Sequence, residues 1–207
     1  MLHTLRLSVF IVFLFALPAL AQSPSAPRWV AALREGGNVI VMRHGATHAD
    51  QVDAKPFDPS DTVHQRQLTD EGRASARIMG AALHGLNVPV SGVQTSLYYR
   101  AVETGTLLGF GTVSASEVLT EGGMGMAAKE DERHGAELRV LAALPPPAGT
   151  NVILVTHKPN IVGAFGKAWS DVREGEASIF RPDGTGSYTL IARVLIQDWT
   201  RLAQVAN

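Results

Sequence analysis

Short apolar runs rich in β-branched residues alternate with helix-length stretches along this chain, and that alternation admits few folds. Asn38 to Met42 reads Asn-Val-Ile-Val-Met behind Gly36-Gly37, the pattern of a buried parallel strand. Val90 to Thr95 reads as a second strand, Ser116 to Leu119 as a weaker third, and Asn151 to Thr156 as the clearest of all. Between them, Thr69 caps a helix that has Glu71 in its first turn and runs through Ala74, Ile78 and Leu83 to a stop near Gly85. A second helix is expected from Leu97 to Leu108, ending at Gly109, and a third over 127–143, stopped by Pro145-Pro146-Pro147. Pro159 suits the first turn of a fourth. Ala177 to Arg181 and Ser187 to Val194 flank an Asp183-Gly184 turn, as a hairpin or two edge strands would. The expected class is α/β, a mostly parallel central sheet with helices on both faces. No internal repeat and no domain linker interrupts the chain after Pro27.

The N-terminal residues follow other rules. Arg6 is the only Lys or Arg before an apolar run from Leu7 to Leu17, and Pro18 with Ala19-Leu20-Ala21 supplies a small-residue cleavage pattern. Residues 1–21 therefore read as a signal peptide, 22–37 as an N-terminal segment leading into the domain, and 38–207 as that domain. The expected location is periplasmic or secreted, with no stable membrane insertion after cleavage; retention of the run as an anchor is the alternative. The absence of cysteine excludes disulfides, thiol catalysis and thiolate metal sites. With 18 Lys and Arg against 19 Asp and Glu, and only Arg6 in the leader, no global basic field recruits nucleic acid. Attraction for an anion must come from a local cluster.

Ligands of open parallel sheets bind at the carboxyl ends of the strands. Arg43-His44-Gly45 follows the first strand, Ser96 and Arg100 the second, Glu121 the weak third, and His157 the fourth. Two guanidinium groups beside two imidazoles suit a phosphate dianion, because arginine offers forked donors and stays charged. A neutral imidazole whose other nitrogen is held by a hydrogen bond can attack phosphorus. His44 is the better nucleophile, since it lies on the tight turn and Gly45 permits close backbone approach. His157 would then stabilise the equatorial oxygens, and Glu121 could protonate the leaving oxygen and later deprotonate water.

At this point the residues meet a known pattern. Arg43-His44-Gly45, then Ser96-Leu97-Tyr98-Tyr99-Arg100-Ala101-Val102-Glu103-Thr104, then Val155-Thr156-His157-Lys158-Pro159-Asn160, in this order, resemble the histidine phosphatase superfamily in its phosphoglycerate mutase-like branch. Gln67-Leu68-Thr69-Asp70-Glu71-Gly72-Arg73 fits the same family's Leu-Thr-x-x-Gly helix leader, and the similarity spans about 39 to 165. The resemblance implies a phosphoglycerate mutase-like α/β fold and hydrolysis of phosphomonoesters through a phosphohistidine, with no metal and no cofactor. It also implies His44 as the phosphorylated residue and Arg43, Arg100 and His157 as the phosphate pocket. Glu121 is the matching acid, with Asp50, Asp53 and Glu130 as possible substitutes from loops. A phosphate-binding or sensing module and a phosphomutase are the alternative functions. The expected partner is a small phosphorylated substrate; oligomeric state and substrate identity stay open.

Other features have plainer readings. His44 and His48 have the spacing of a metal pair but lack the helix and carboxylate a zinc site of that type needs. His64, His84 and His134 are expected to be solvated, and Glu103 to be structural. The segment His48 to Gln67, with Pro56 and Pro59 and no period, is a long loop of the kind that serves as a lid or binding loop. Its Lys55, His64 and Arg66 either face solvent or meet a second anionic group of a substrate. Gly122 to Gly125 resembles a phosphate cradle only superficially, without a following Lys-Ser/Thr.

Overall fold

A computed structural model of the chain describes residues 27–121 and 128–205. The strands are β1 (Val39–Arg43), β2 (Val90–Thr95), β3 (Val113–Ala115), β4 (Asn151–Thr156), β5 (Ala177–Pro182) and β6 (Tyr188–Val194). The helices are α1 (Arg28–Glu35), α2 (Asp70–Gly85), α3 (Tyr99–Leu107), α4 (Ala128–Ala142), α5 (Lys158–Phe165) and α6 (Ile196–Val205). All six strands form one sheet in the order β3-β2-β4-β1-β5-β6. The first four in that order run parallel, and β5 and β6 add an antiparallel hairpin beside β1.

Period two in β1 explains the layering. Ile40 and Met42 enter a core with Val30 and Leu33 of α1, Met79 and Leu83 of α2, Ala101 of α3 and Trp199 of α6. Val39 and Val41 enter the opposite core with Leu138 and Ala142 of α4 and Ile161 and Ala164 of α5. The sheet is thus buried on both faces, as parallel strands require.

Register sets the working edge. Arg43 pairs with Thr156 between β1 and β4, and Thr95 pairs with Val155 between β2 and β4. The carboxyl ends of these three adjacent strands are therefore level, and the residues that follow them, His44, His157 and Ser96, emerge side by side. Helix α2 starts against the same rim: Thr69 accepts a hydrogen bond from the Gly72 amide and donates its own amide to the Ala46 carbonyl. Gly72 is required there, since a β-carbon would lie 2.2 Å from the Ala46 carbonyl oxygen.

Some elements differ from the sequence reading. The third strand is Val113–Ala115, and Glu117–Leu119 is a turn of 3₁₀ helix that buries Leu119. The apolar Val118 and Leu119 draw the sequence reading past the true edge strand, which is mostly exposed and carries little apolar signal. Helices α1 and α6 were not anticipated, although Val30, Leu33 and Trp199 are fully buried. Residues 1–21 and the loop Gly122 to Gly125 lie outside the described residues. Among the described residues no helix is long and apolar enough to cross a membrane.

Candidate active site

His44 is held by backbone on three sides. Its amide donates to the Thr156 carbonyl at 3.0 Å, its carbonyl accepts from the Gly175 amide at 2.9 Å, and its ring Nδ1 lies 2.8 Å from the Gly45 carbonyl oxygen. A carbonyl only accepts, so Nδ1 carries the proton and Nε2 is the unprotonated nitrogen of the neutral ring. Burial, and then the Arg100 charge, push the His44 pKa well below the ordinary imidazole value. The turn is tied to α3 through Thr104, whose hydroxyl accepts from the Gly45 amide at 3.0 Å and donates to the Arg100 carbonyl at 2.6 Å.

His157 stands next to it, ring centroids 5.2 Å apart. Its Nε2 is 2.6 Å from Ser96 Oγ, which also accepts the Tyr98 amide at 3.0 Å. Ser96 Oγ meets no other acceptor among the described residues, so its proton is assigned to Nε2 and the ring proton to Nδ1. Nδ1 faces Glu121 Oε1 at 3.3 Å without hydrogen-bond geometry. Burial, and then Arg100, also hold the His157 pKa well below its usual value.

Arg100 is fully buried. Its guanidinium lies over the Tyr98 ring at 4.1 Å; Nη2 donates to Glu121, and Nη1 to both carboxylate oxygens of Asp53 at 2.9 and 3.1 Å. Arg43 turns partly away, with Nη1 on the Val172 carbonyl at 3.1 Å and Nη2 on Glu174 at 3.2 Å, while Thr47 braces Glu174 from the other side at 2.9 Å. The Nε donors of Arg43 and Arg100 and Nδ1 of His157 are buried without a hydrogen-bond partner. Buried donors of this kind call for an acceptor.

The structure therefore brings Arg43, His44, Arg100, Glu121 and His157 to one rim. It also brings residues that the sequence reading weighed differently. Arg66, set between solvent and a second anion, lies close enough to lower the pKa of both His44 and His157, and its Nε is likewise buried and unpartnered. Its position two residues before Leu68-Thr69 of the helix leader was the available signal. Asp53 reaches Arg100, whereas Asp50 and Glu130 are exposed. His134 is a correction: expected in solvent, it is fully buried, and its Nδ1 donates to the Thr120 carbonyl directly before Glu121 at 2.9 Å. His48 and His64 are exposed, Glu103 accepts from Arg73 at 2.8 Å, and among the described residues no group of His and carboxylates is arranged to hold a metal ion.

No protein-family model and no curated protein matches the chain. Solved structures do. The protein histidine phosphatase SixA complexed with tungstate aligns at 20% identity over 78% of this chain and 98% of that one, with a TM-score of 0.57. A putative alpha-ribazole-5'-P phosphatase from Escherichia coli aligns at 16% identity over 78% and 98%, with a TM-score of 0.56. A phosphoserine phosphatase from Entamoeba histolytica, in complex with phosphoserine, aligns at 15% identity over 78% and 98%, with a TM-score of 0.54. At these identities the likeness establishes architecture: this chain is built on the fold of the histidine phosphatases, the α/β phosphoglycerate mutase-like fold.

Proposed function

We propose that the chain is an exported phosphatase of the histidine phosphatase family, hydrolysing phosphomonoesters through a phosphohistidine on His44 with no metal in the chemistry. The observation that carries this reading is the state of the His44 ring. It is neutral, fixed in one tautomer by the Gly45 carbonyl, and set among guanidinium donors that lack acceptors. A phosphoryl group supplies those acceptors and presents phosphorus to Nε2.

In the first step, an Nε2–phosphorus bond forms as the ester oxygen–phosphorus bond breaks, and the leaving oxygen takes a proton from the Glu121 carboxyl. Water then attacks phosphorus, Glu121 takes its proton, the nitrogen–phosphorus bond breaks, and phosphate leaves with His44 restored. Arg43, Arg66, Arg100 and His157 hold the oxygens on which charge builds. Glu121 rests on Arg100 Nη2 and faces His157, at the rim where the leaving oxygen departs. The apolar run at Leu7 to Leu17, with Ala19-Leu20-Ala21 behind it, supports export.

The test is hydrolysis of p-nitrophenyl phosphate in the presence of a chelator, with denaturing quench to trap phosphoprotein. The expected result is turnover in the parent, an acid-labile and alkali-stable phosphoryl adduct, and loss of both in His44→Ala by on the order of a thousandfold or more. Turnover at the parent rate in His44→Ala, or its loss on chelation, would overturn the reading. Residues 1–21 fused to a reporter that works only outside the cytoplasm test export separately.

A further inference from the structure

Arg100 offers the pocket a cation that is already engaged. Asp53 occupies Nη1 with both carboxylate oxygens, and Glu121 occupies Nη2. Asp53 is carried by the 48–67 segment, an irregular ribbon. Its cross-links run from the His48 amide to the Gln67 carbonyl at 3.2 Å, from the Gln67 amide to Gln51 Oε1 at 2.8 Å, and from the Ala54 amide to the His64 carbonyl at 2.8 Å. The Arg66 amide donates to Asp53 Oδ1 at 2.9 Å, so the ribbon itself aims this carboxylate at Arg100.

A phosphoryl group presents forked donors with what Asp53 presents, a pair of anionic oxygens. Both cannot sit on Nη1. We propose that Asp53 is an internal competitor for the phosphate subsite on Arg100: substrate phosphate binds by displacing this carboxylate, and its return helps expel inorganic phosphate. This rests on the reading that the pocket takes phosphate. Asp53 then sets affinity and product release and takes no part in bond making.

Two observations favour competition over a strut that holds Arg100 ready. Arg100 is anchored without Asp53, being fully buried, stacked on Tyr98 and bound to Glu121, whereas the Asp53 side chain is 24% exposed on a surface ribbon. Asp53 is therefore the partner free to leave. The charges also balance: Arg43 pairs with Glu174 and Arg100 with Asp53 and Glu121, while Arg66 brings a third positive charge near two imidazoles held neutral, three cations against three carboxylates. A balanced hollow draws a dianion weakly until one carboxylate withdraws.

The two roles predict opposite signs. Binding of inorganic phosphate and of tungstate to the full chain is measured by calorimetry for the parent, Asp53→Asn and Asp53→Ala. Competition predicts that both variants bind both anions about tenfold tighter or more, with KM for p-nitrophenyl phosphate falling in step. Unchanged or weaker binding in variants of a parent that does bind would overturn the competitor and leave the phosphatase reading standing. Failure of parent and variants alike to bind either anion would overturn both. Should neither variant fold, hydrogen exchange of the Ala54 and Arg66 amides in the parent decides. Faster exchange with saturating phosphate supports displacement, and unchanged exchange overturns it.

Discussion

The His44 and His157 rings stand 5.2 Å apart, tilted 58°, at the ends of neighbouring parallel strands, and both are buried. Two imidazoles this close cannot both be charged without repulsion, and burial together with Arg100 keeps both neutral. A neutral nucleophile beside a neutral neighbour is a constraint on stability as well as on chemistry.

That constraint has a sign. Unfolded, each ring takes up a proton as pH falls through about 6.5, whereas folded it does so only at lower pH. The unfolded chain binds more protons in that window, so the contribution is fully present above about pH 6.5 and is lost as pH falls below it. The urea midpoint should drop between pH 7 and pH 5, and drop less in His157→Gln. An equal drop in the parent and the variant would show that other groups carry the effect.

Glu121 touches Arg100 and faces His157, where it can reach a leaving oxygen. Replacement by Gln keeps the shape and removes the proton that stabilises a departing alkoxide. Glu121→Gln should lower kcat about a hundredfold or more for an alkyl phosphate and much less for p-nitrophenyl phosphate, whose leaving group needs little help. Equal losses on the two substrates would assign Glu121 to binding alone.

Thr104 links the nucleophile turn to the helix that carries Arg100. Thr104→Val preserves shape but leaves the Gly45 amide buried without an acceptor, at a cost of about 1–3 kcal/mol. The denaturation midpoint should fall accordingly, and kcat should fall with KM little changed, since the geometry of His44 is what loosens. A variant as stable and as active as the parent would remove this role.

Arg66 adds a third guanidinium near both imidazoles. Arg66→Gln should weaken inorganic phosphate binding roughly tenfold, within the range for a charge-assisted contact. Calorimetry provides the measurement, and unchanged affinity would place Arg66 outside the pocket.

Much of the fold was legible because local patterns are strong where burial is two-sided. The β-branched runs of β1, β2 and β4 stand between glycines, prolines and polar turns, and α2 announces itself with its Thr69 cap and acidic first turn. Edge strand β3 lies a few residues before the apolar Val118 and Leu119 that signal it in the sequence, because its own three residues are mostly exposed and those two belong to the 3₁₀ turn. Helix α1 offered only Val30 and Leu33 as buried positions, too few for a period to emerge. His134 looked like any polar helix residue, and only the packing of α4 buries it.

By itself, the sequence determined which chemical groups end the strands, since Arg43, His44, Ser96 and His157 follow runs whose strand character is local. Only the tertiary structure decided what those groups touch. The Ser96 hydroxyl on His157, the Asp53 carboxylate seated on Arg100 and the arrival of Arg66 all depend on strand register and on how a long ribbon folds over the rim. Such contacts join residues far apart in the chain through electrostatics and packing, for which no short-range pattern exists.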